Sequence, residues 1–159
     1  MIGLPGQTIE DLADDILFFK KMDIAMVGMG PYLVHKDTPL SSEISDFEVI
    51  KDRQLELALK MIAVTRIYLK DVNIASTTAL QALDPTGREM GLKAGANIIM
   101  PNITGTEYRS SYQLYDNKPC LDENATLCRT CLEQRIESVG EFIGFDEWGD
   151  SPHFCKIPE

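Results

Sequence analysis

Apolar residues along this chain fall into two alternating spacings. Ile2 to Leu4 is a short apolar run stopped by Pro5-Gly6, and it reads as the end of a buried strand. Thr8 then stands where a helix N-cap belongs, with Asp11 three residues on, close to a capping box. Ile9, Leu12, Ile16 and Phe19 follow at steps of three and four, which makes one stripe on a helix. Ile24 to Met29 reads as a second strand, punctuated by Gly28 and Gly30, and a polar loop through Pro31, His35, Pro39 and Ser42 comes next. A long helix is expected from about Asp46 to Leu69, with Leu55, Leu59, Ile62 and Leu69 on one face. Val72 to Ala75 reads as a third strand, ending in Ser76-Thr77-Thr78. A shorter helix is expected from Asp84 to Ala94, capped by Gly95. Ala96 to Met100 reads as a fourth strand closed by Pro101, and Leu127 to Val139 as a last helix. Beyond Gly140 the chain is acidic, aromatic and broken by Gly and Pro. Residues 1–140 therefore read as one unit and 141–159 as a tail.

Near-continuous apolar strands separated by helices imply a parallel sheet covered by helices, hence an α/β fold. Four strand–helix units and a C-terminal helix make the C-terminal half of a (β/α)8 barrel, and an open doubly wound sheet is the structural alternative. Met1 enters a strand with no lead-in, so the expectation is that an N-terminal half belongs with this one.

Charge changes the picture by exclusion. With 25 acidic and 15 basic residues the formal net charge is -10. A duplex nucleic-acid binder needs a basic face, and so does a polybasic membrane contact. No apolar run approaches the roughly 18 residues needed to cross a bilayer, and the start shows no secretory pattern. A cytoplasmic location is expected, with no nucleic-acid or membrane partner.

In this architecture ligands bind at the carboxyl ends of the strands. Those ends are rich in Gly, Pro and Thr: Gly3-Leu4-Pro5-Gly6-Gln7-Thr8, Gly28-Met29-Gly30-Pro31, Ser76-Thr77-Thr78-Ala79 and Met100-Pro101-Asn102-Ile103-Thr104. Glycine admits close approach to the backbone and hydroxyls bond without charge, although each segment alone also fits a plain turn. Neither a Walker loop nor a complete GxGxxG fingerprint is present. The acidic residues of 9–15 and 46–56 fit a solvated outer surface.

Cysteine carries the sharper signal. Cys120, Cys128 and Cys131 lie within a dozen residues, with two of them one helical turn apart. In a reducing compartment such clustering points to a metal before a disulfide, and soft thiolates suit zinc or an iron–sulfur cluster. Zinc requires a fourth ligand, for which Cys155 and His153 are candidates. Spacing leaves the choice of metal open, and incidental packed thiols are the bland alternative.

Together, Ile2-Gly3-Leu4-Pro5-Gly6-Gln7-Thr8 with Asp11-Leu12, Gly28-Met29-Gly30-Pro31, Asp37-Thr38-Pro39-Leu40, Ala75-Ser76-Thr77-Thr78-Ala79, Gly95-Ala96-Asn97-Ile98-Ile99-Met100-Pro101-Asn102 and Tyr112-Gln113-Leu114-Tyr115 resemble the HydE family, the radical S-adenosylmethionine maturases of FeFe-hydrogenase. The resemblance runs from Met1 to about Gly140. It implies a complete (β/α)8 barrel in which a 4Fe-4S cluster reductively cleaves S-adenosylmethionine. The resulting deoxyadenosyl radical then attacks an iron-bound, cysteine-derived precursor of the H-cluster. It further implies that Met26, Pro31 and Leu33 lie near S-adenosylmethionine, and that Thr77, Thr78, Met100, Tyr112 and Tyr115 line the substrate cavity. Cys120, Cys128 and Cys131 would hold an accessory iron–sulfur cluster, 2Fe-2S or 4Fe-4S. Other hydrogenase maturases are the implied partners.

The Cys-x3-Cys-x2-Cys motif of the radical-generating cluster is not in this sequence, so this chain alone is expected to be inactive. Other biotin synthase-like radical enzymes, biotin synthase or methylornithine synthase, remain alternatives. A non-catalytic zinc-binding module is the alternative from a different class.

Overall fold

The computed structural model describes residues 1–44, 47–112, 115 and 125–156. Helix α1 (Ile9–Lys21) starts as its sequence requires. The Thr8 hydroxyl accepts the Asp11 N–H at 3.1 Å while the Asp11 carboxylate accepts the Thr8 N–H at 2.8 Å. Two orphan donors are satisfied, a cap of about 1 kcal/mol. The same bonds from Thr8, backbone first and hydroxyl second, hold the Asp11 carboxyl below its ordinary range. Leu12 and Ile16 are buried and Phe19 packs against them. Ile9 departs from the expected stripe: it is 64% exposed. As the first helical residue, its Cα–Cβ bond leans back past the helix start and away from the core.

Strand β1 (Met26–Val27) pairs in parallel with β2 (Asn73–Ile74), Met26 beside Asn73 and Val27 beside Ile74. Single parallel bridges extend the array on both sides, Ile2 with Pro31 and Ala75 with Ile98. The supporting bonds include Ile2 N–H to Gly30 O at 3.0 Å, Ala75 N–H to Val27 O at 3.0 Å and Ser76 N–H to Ile98 O at 2.8 Å. Four segments thus lie side by side, parallel, in the order in which the chain presents them. The ladders are shorter than the apolar runs that announce them.

Helix α2 (Phe47–Leu69) covers one face of this array. Ala58, Met61, Ile62 and Leu69 join Leu12, Ile16, Val27, Met29, Val72 and Ile74 in one core, with Leu55 and Leu59 packed at its margin. The stripe expected for this helix is therefore present, but its centre lies one residue to the side of the leucines.

The helix expected over Asp84–Ala94 is present as α4 (Gly87–Lys93), and a separate α3 (Thr78–Leu83), which the spacing did not announce, precedes it. Pro85 explains the break. The residue before proline avoids the helical region, and Asp84 is extended, at φ -142° and ψ 135°. Its carboxylate accepts both the N–H and the hydroxyl of Thr86 at 2.7 Å, which re-forms the turn. α4 ends where Gly95 adopts φ +116°, with Gly95 N–H bonded to Leu92 O and Ala96 N–H to Gly91 O. That pair of bonds is a Schellman cap.

A short helix α5 (Thr106–Arg109) buries Arg109, whose guanidinium donates to Thr104 O and Asn102 O. Helix α6 (Ala125–Ser138) follows, seated by buried Leu132. The segment after Gly140 returns to the strands. Asn73 Nδ2 donates to Gly149 O at 2.9 Å, Ser151 is buried, and the His153 N–H bonds Asp71 O at 3.1 Å. Among the described residues no helix is long and apolar enough to cross a membrane.

Candidate functional site

Alternation along a strand sends successive side chains to opposite faces. Val27 and Ile74 point into the helical layer. Met26 points the other way and is 47% exposed. Two residues on, a Cβ built on Gly28 meets nothing within 4 Å. The face away from the helices is thus open at its centre, with an apolar thioether beside bare backbone.

At the carboxyl ends the neighbours crowd together. A Cβ on Gly30 would fall 2.7 Å from Thr77 Oγ1, closer than side chains approach. Glycine at 30 is what lets the Thr77 hydroxyl sit against the adjacent strand end. That hydroxyl is buried and has no hydrogen-bond partner among the described residues. A buried hydroxyl can both donate and accept. Thr78 Oγ1, one residue on, accepts the Tyr115 hydroxyl at 3.1 Å across a separation of 37 residues.

Thr77, Thr78 and Tyr115 are therefore brought together, and Pro31 is adjacent through Gly30 and is buried beside Ile2. Leu33 is half-buried and Met100 is 56% exposed. The Tyr112 side chain lies outside the described residues.

Several polar residues that sequence reasoning passed over hold the first strand end in place. Gly3 adopts φ +80°. Gln7 Oε1 accepts the Gly3 N–H at 2.7 Å, and Gln54 Nε2 donates to Gly3 O at 2.7 Å. Gln54 is 5% exposed in the middle of α2. A buried amide on an otherwise apolar helix face was the available signal. Arg66 plays a similar part for later strands, donating to Gly95 O, Val72 O and Asn97 Oδ1. Burial lowers its guanidinium from the ordinary value, with Asp71 opposing.

Of the cysteine trio, Cys120 and the Cys128 side chain lie outside the described residues. Cys131 is free and half-buried on α6. Arg135, one turn later, donates to Glu89 Oε1 at 2.8 Å and Pro85 O at 2.9 Å. Burial works against the Arg135 charge, but its contact with the Cys131 sulfur and the Glu89 carboxylate outweighs that and raises it above its ordinary value.

The two candidates for a fourth ligand fare differently. Cys155 is exposed and free. Both ring nitrogens of His153 already face carboxylates, Nε2 with Asp23 at 2.9 Å and Nδ1 with Asp71 at 3.3 Å. Among the described residues no three His, Cys, Asp or Glu side chains gather as a metal cluster. His35 Nδ1 accepts the Asp37 N–H in a turn.

No protein-family model matches the chain. Against curated proteins it is 50% identical over 149 residues to the FeFe-hydrogenase maturase subunit HydE of Thermotoga maritima, a match covering 94% of this chain. The chain spans 40% of that relative's length. By that identity, carried along nearly its whole length, the chain is a homologue of HydE and corresponds to a part of it.

Proposed function

We propose that this chain is the C-terminal part of a radical S-adenosylmethionine enzyme that matures FeFe-hydrogenase, and that it supplies consecutive strand–helix units of a (β/α)8 barrel. The observation that carries the reading is the 50% identity to HydE along 94% of the chain. The geometry supports it independently. Among the described residues the pairings are parallel and join segments in chain order, as consecutive units of a barrel do.

In this reading the open face of the strands is the barrel lumen. Met26, Pro31 and Leu33 contact S-adenosylmethionine, Met26 through its exposed thioether face. When bound, that cofactor and the 4Fe-4S cluster of the companion segment supply the deoxyadenosyl radical. Thr77, Thr78, Met100, Tyr112 and Tyr115 line the cavity for a small, iron-bound, cysteine-derived precursor. The unpartnered Thr77 hydroxyl binds a polar group of that precursor, and the Tyr115–Thr78 bond fixes the wall beside it. Cys120, Cys128 and Cys131 hold an accessory iron–sulfur cluster. Other hydrogenase maturases are the partners, and the cytoplasm is the site of action.

The test is anaerobic and reducing. Joined to the remaining part of HydE, the chain forms 5′-deoxyadenosine from S-adenosylmethionine and activates apo-hydrogenase; alone, it forms none. Deoxyadenosine from a clean preparation of the chain by itself overturns the reading.

A further inference from the structure

Asn73 stands on the side of β2 away from the helices. Met26 is its ladder neighbour, and Ile74, next along the strand, faces the helical layer. Asn73 is nevertheless buried, and the C-terminal segment is what covers it. Its Nδ2 donates to Gly149 O at 2.9 Å, while its Oδ1 accepts the Asn97 Nδ2 at 2.8 Å. A buried amide costs more than an aliphatic side chain unless both of its ends are bonded. Here one end ties β2 to the segment of Ile98, and the other holds a part of the chain 76 residues further on. Two residues past Gly149, Ser151 is buried. Its hydroxyl accepts the Phe154 N–H and its carbonyl the Cys155 N–H, which folds the segment into a turn.

From there the segment crosses to the other side of the sheet. His153 lines a small cavity together with Phe19, Ile24, Leu69 and Val72 of the helical layer. Its N–H donates to Asp71 O at 3.1 Å, and its ring lies between Asp23 at 2.9 Å and Asp71 at 3.3 Å. The Lys156 ammonium bonds the same Asp71 carboxylate. Asp23 and Asp71 belong to the turns that lead into β1 and β2. Residues 149–156 therefore pass beneath the amino ends of both strands, from the open side to the helical side. Gly30, Thr77 and Thr78 lie at the opposite, carboxyl ends.

We propose that residues 149–156 are the floor of the barrel, shutting the amino end of the lumen, so that ligands enter and leave by the carboxyl ends of the strands alone. This rests on the reading of the open face as a lumen, and goes beyond it by saying which end is closed and by what. A closed amino end keeps water and other small molecules from reaching a reactive intermediate from behind.

The experiment uses the chain joined to the remaining part of HydE and reads peroxide oxidation of individual methionines by mass spectrometry. Met26 lies beside Asn73, whereas Met100 follows Ile98 towards a carboxyl end. Two variants open the floor. One is shortened to end at Trp148. The other is Asn73→Asp, which keeps the acceptor for Asn97 and removes the donor to Gly149 O. The shortened protein is expected to lose most of the protection of Met26 and to leave Met100 unchanged, and Asn73→Asp to do the same to a smaller extent. Retained protection of Met26 in the shortened protein overturns the inference and leaves the barrel reading standing. Should shortening expose both methionines together, Asn73→Asp decides: loss of protection at Met26 alone supports the floor, and any other pattern overturns it. Where neither methionine is protected before the floor is opened, the barrel reading itself falls, and this inference with it.

Discussion

The two faces of β1 are made of neighbouring residues and end in opposite conditions. Val27 and Ile74, side by side in the ladder, are 2% and 0% exposed beneath the helices. Met26, one residue from Val27, is 47% exposed, and Gly28 carries open space where a side chain would stand. The covered face is filled by Leu12, Ile16, Ala58, Met61 and Ile62. On the other side the room lies at β1, whereas Asn73, beside Met26 in the ladder, is 7% exposed and bonded to Gly149 O. A parallel sheet is normally buried on both faces, and in the proposed barrel the exposed side of β1 faces the lumen.

Substitutions sharpen that contrast. Ile74→Ala removes a fully buried side chain from the covered face, and a loss of about 2–5 kcal/mol is expected by urea denaturation. Met26→Ala on the open face is expected to stay within about 0.5 kcal/mol. Equal losses at the two positions break the distinction. At the rim between the faces, Gly30→Ala places a methyl against Thr77 Oγ1, with an expected cost of about 1–3 kcal/mol. In a Thr77→Ala background the clash is gone and most of the cost should vanish. Thr77 is the N-cap of α3 but makes no capping bond through its hydroxyl, so its loss there is mild. A cost that persists in the double variant refutes the close approach.

The smallest effect concerns the return of the C-terminal segment to the strands. The Lys156 ammonium, bonded to Asp71 at 2.6 Å, holds the Asp71 carboxyl below its ordinary value of 3.8 against the opposing effect of burial, and the nearby His153 adds to the depression. A carboxyl whose folded value is depressed contributes stability above its unfolded value and loses it as pH falls through the folded one. The contribution of this carboxyl to the docking of residues 149–156 is therefore lost as pH falls below 3.8. Amide exchange of the His153 N–H, bonded to Asp71 O, reads this directly. Protection that persists unchanged well below pH 3.8 contradicts it.

Periodicity made the alternation of strands and helices legible, together with the Thr8–Asp11 cap, the Gly95 stop and the long α2. These are local signals, set within a few residues. Pro85 was equally local: it stands between α3 and α4 and sets the start of the expected helix at Gly87 rather than Asp84. The polar fasteners were not legible. Gln54 reaches Gly3 across 51 residues, Arg66 reaches Asn97 across 31, and Arg135 reaches Glu89 across 46. Each depends on which elements become neighbours, and no spacing within the chain encodes that. Of the site residues, Thr77, Thr78 and Tyr115 meet at one strand end. Their roles came from resemblance, because a threonine pair after a strand equally describes a turn.

The central claim is that the open face receives the rest of a barrel. Oxidative footprinting of Met26 and Met100, 47% and 56% exposed in this chain, tests it directly. When the chain is joined to the remaining part of HydE, both methionines should become protected from peroxide, Met26 further so on adding S-adenosylmethionine. Oxidation of both at the rate found in the isolated chain would contradict the claim.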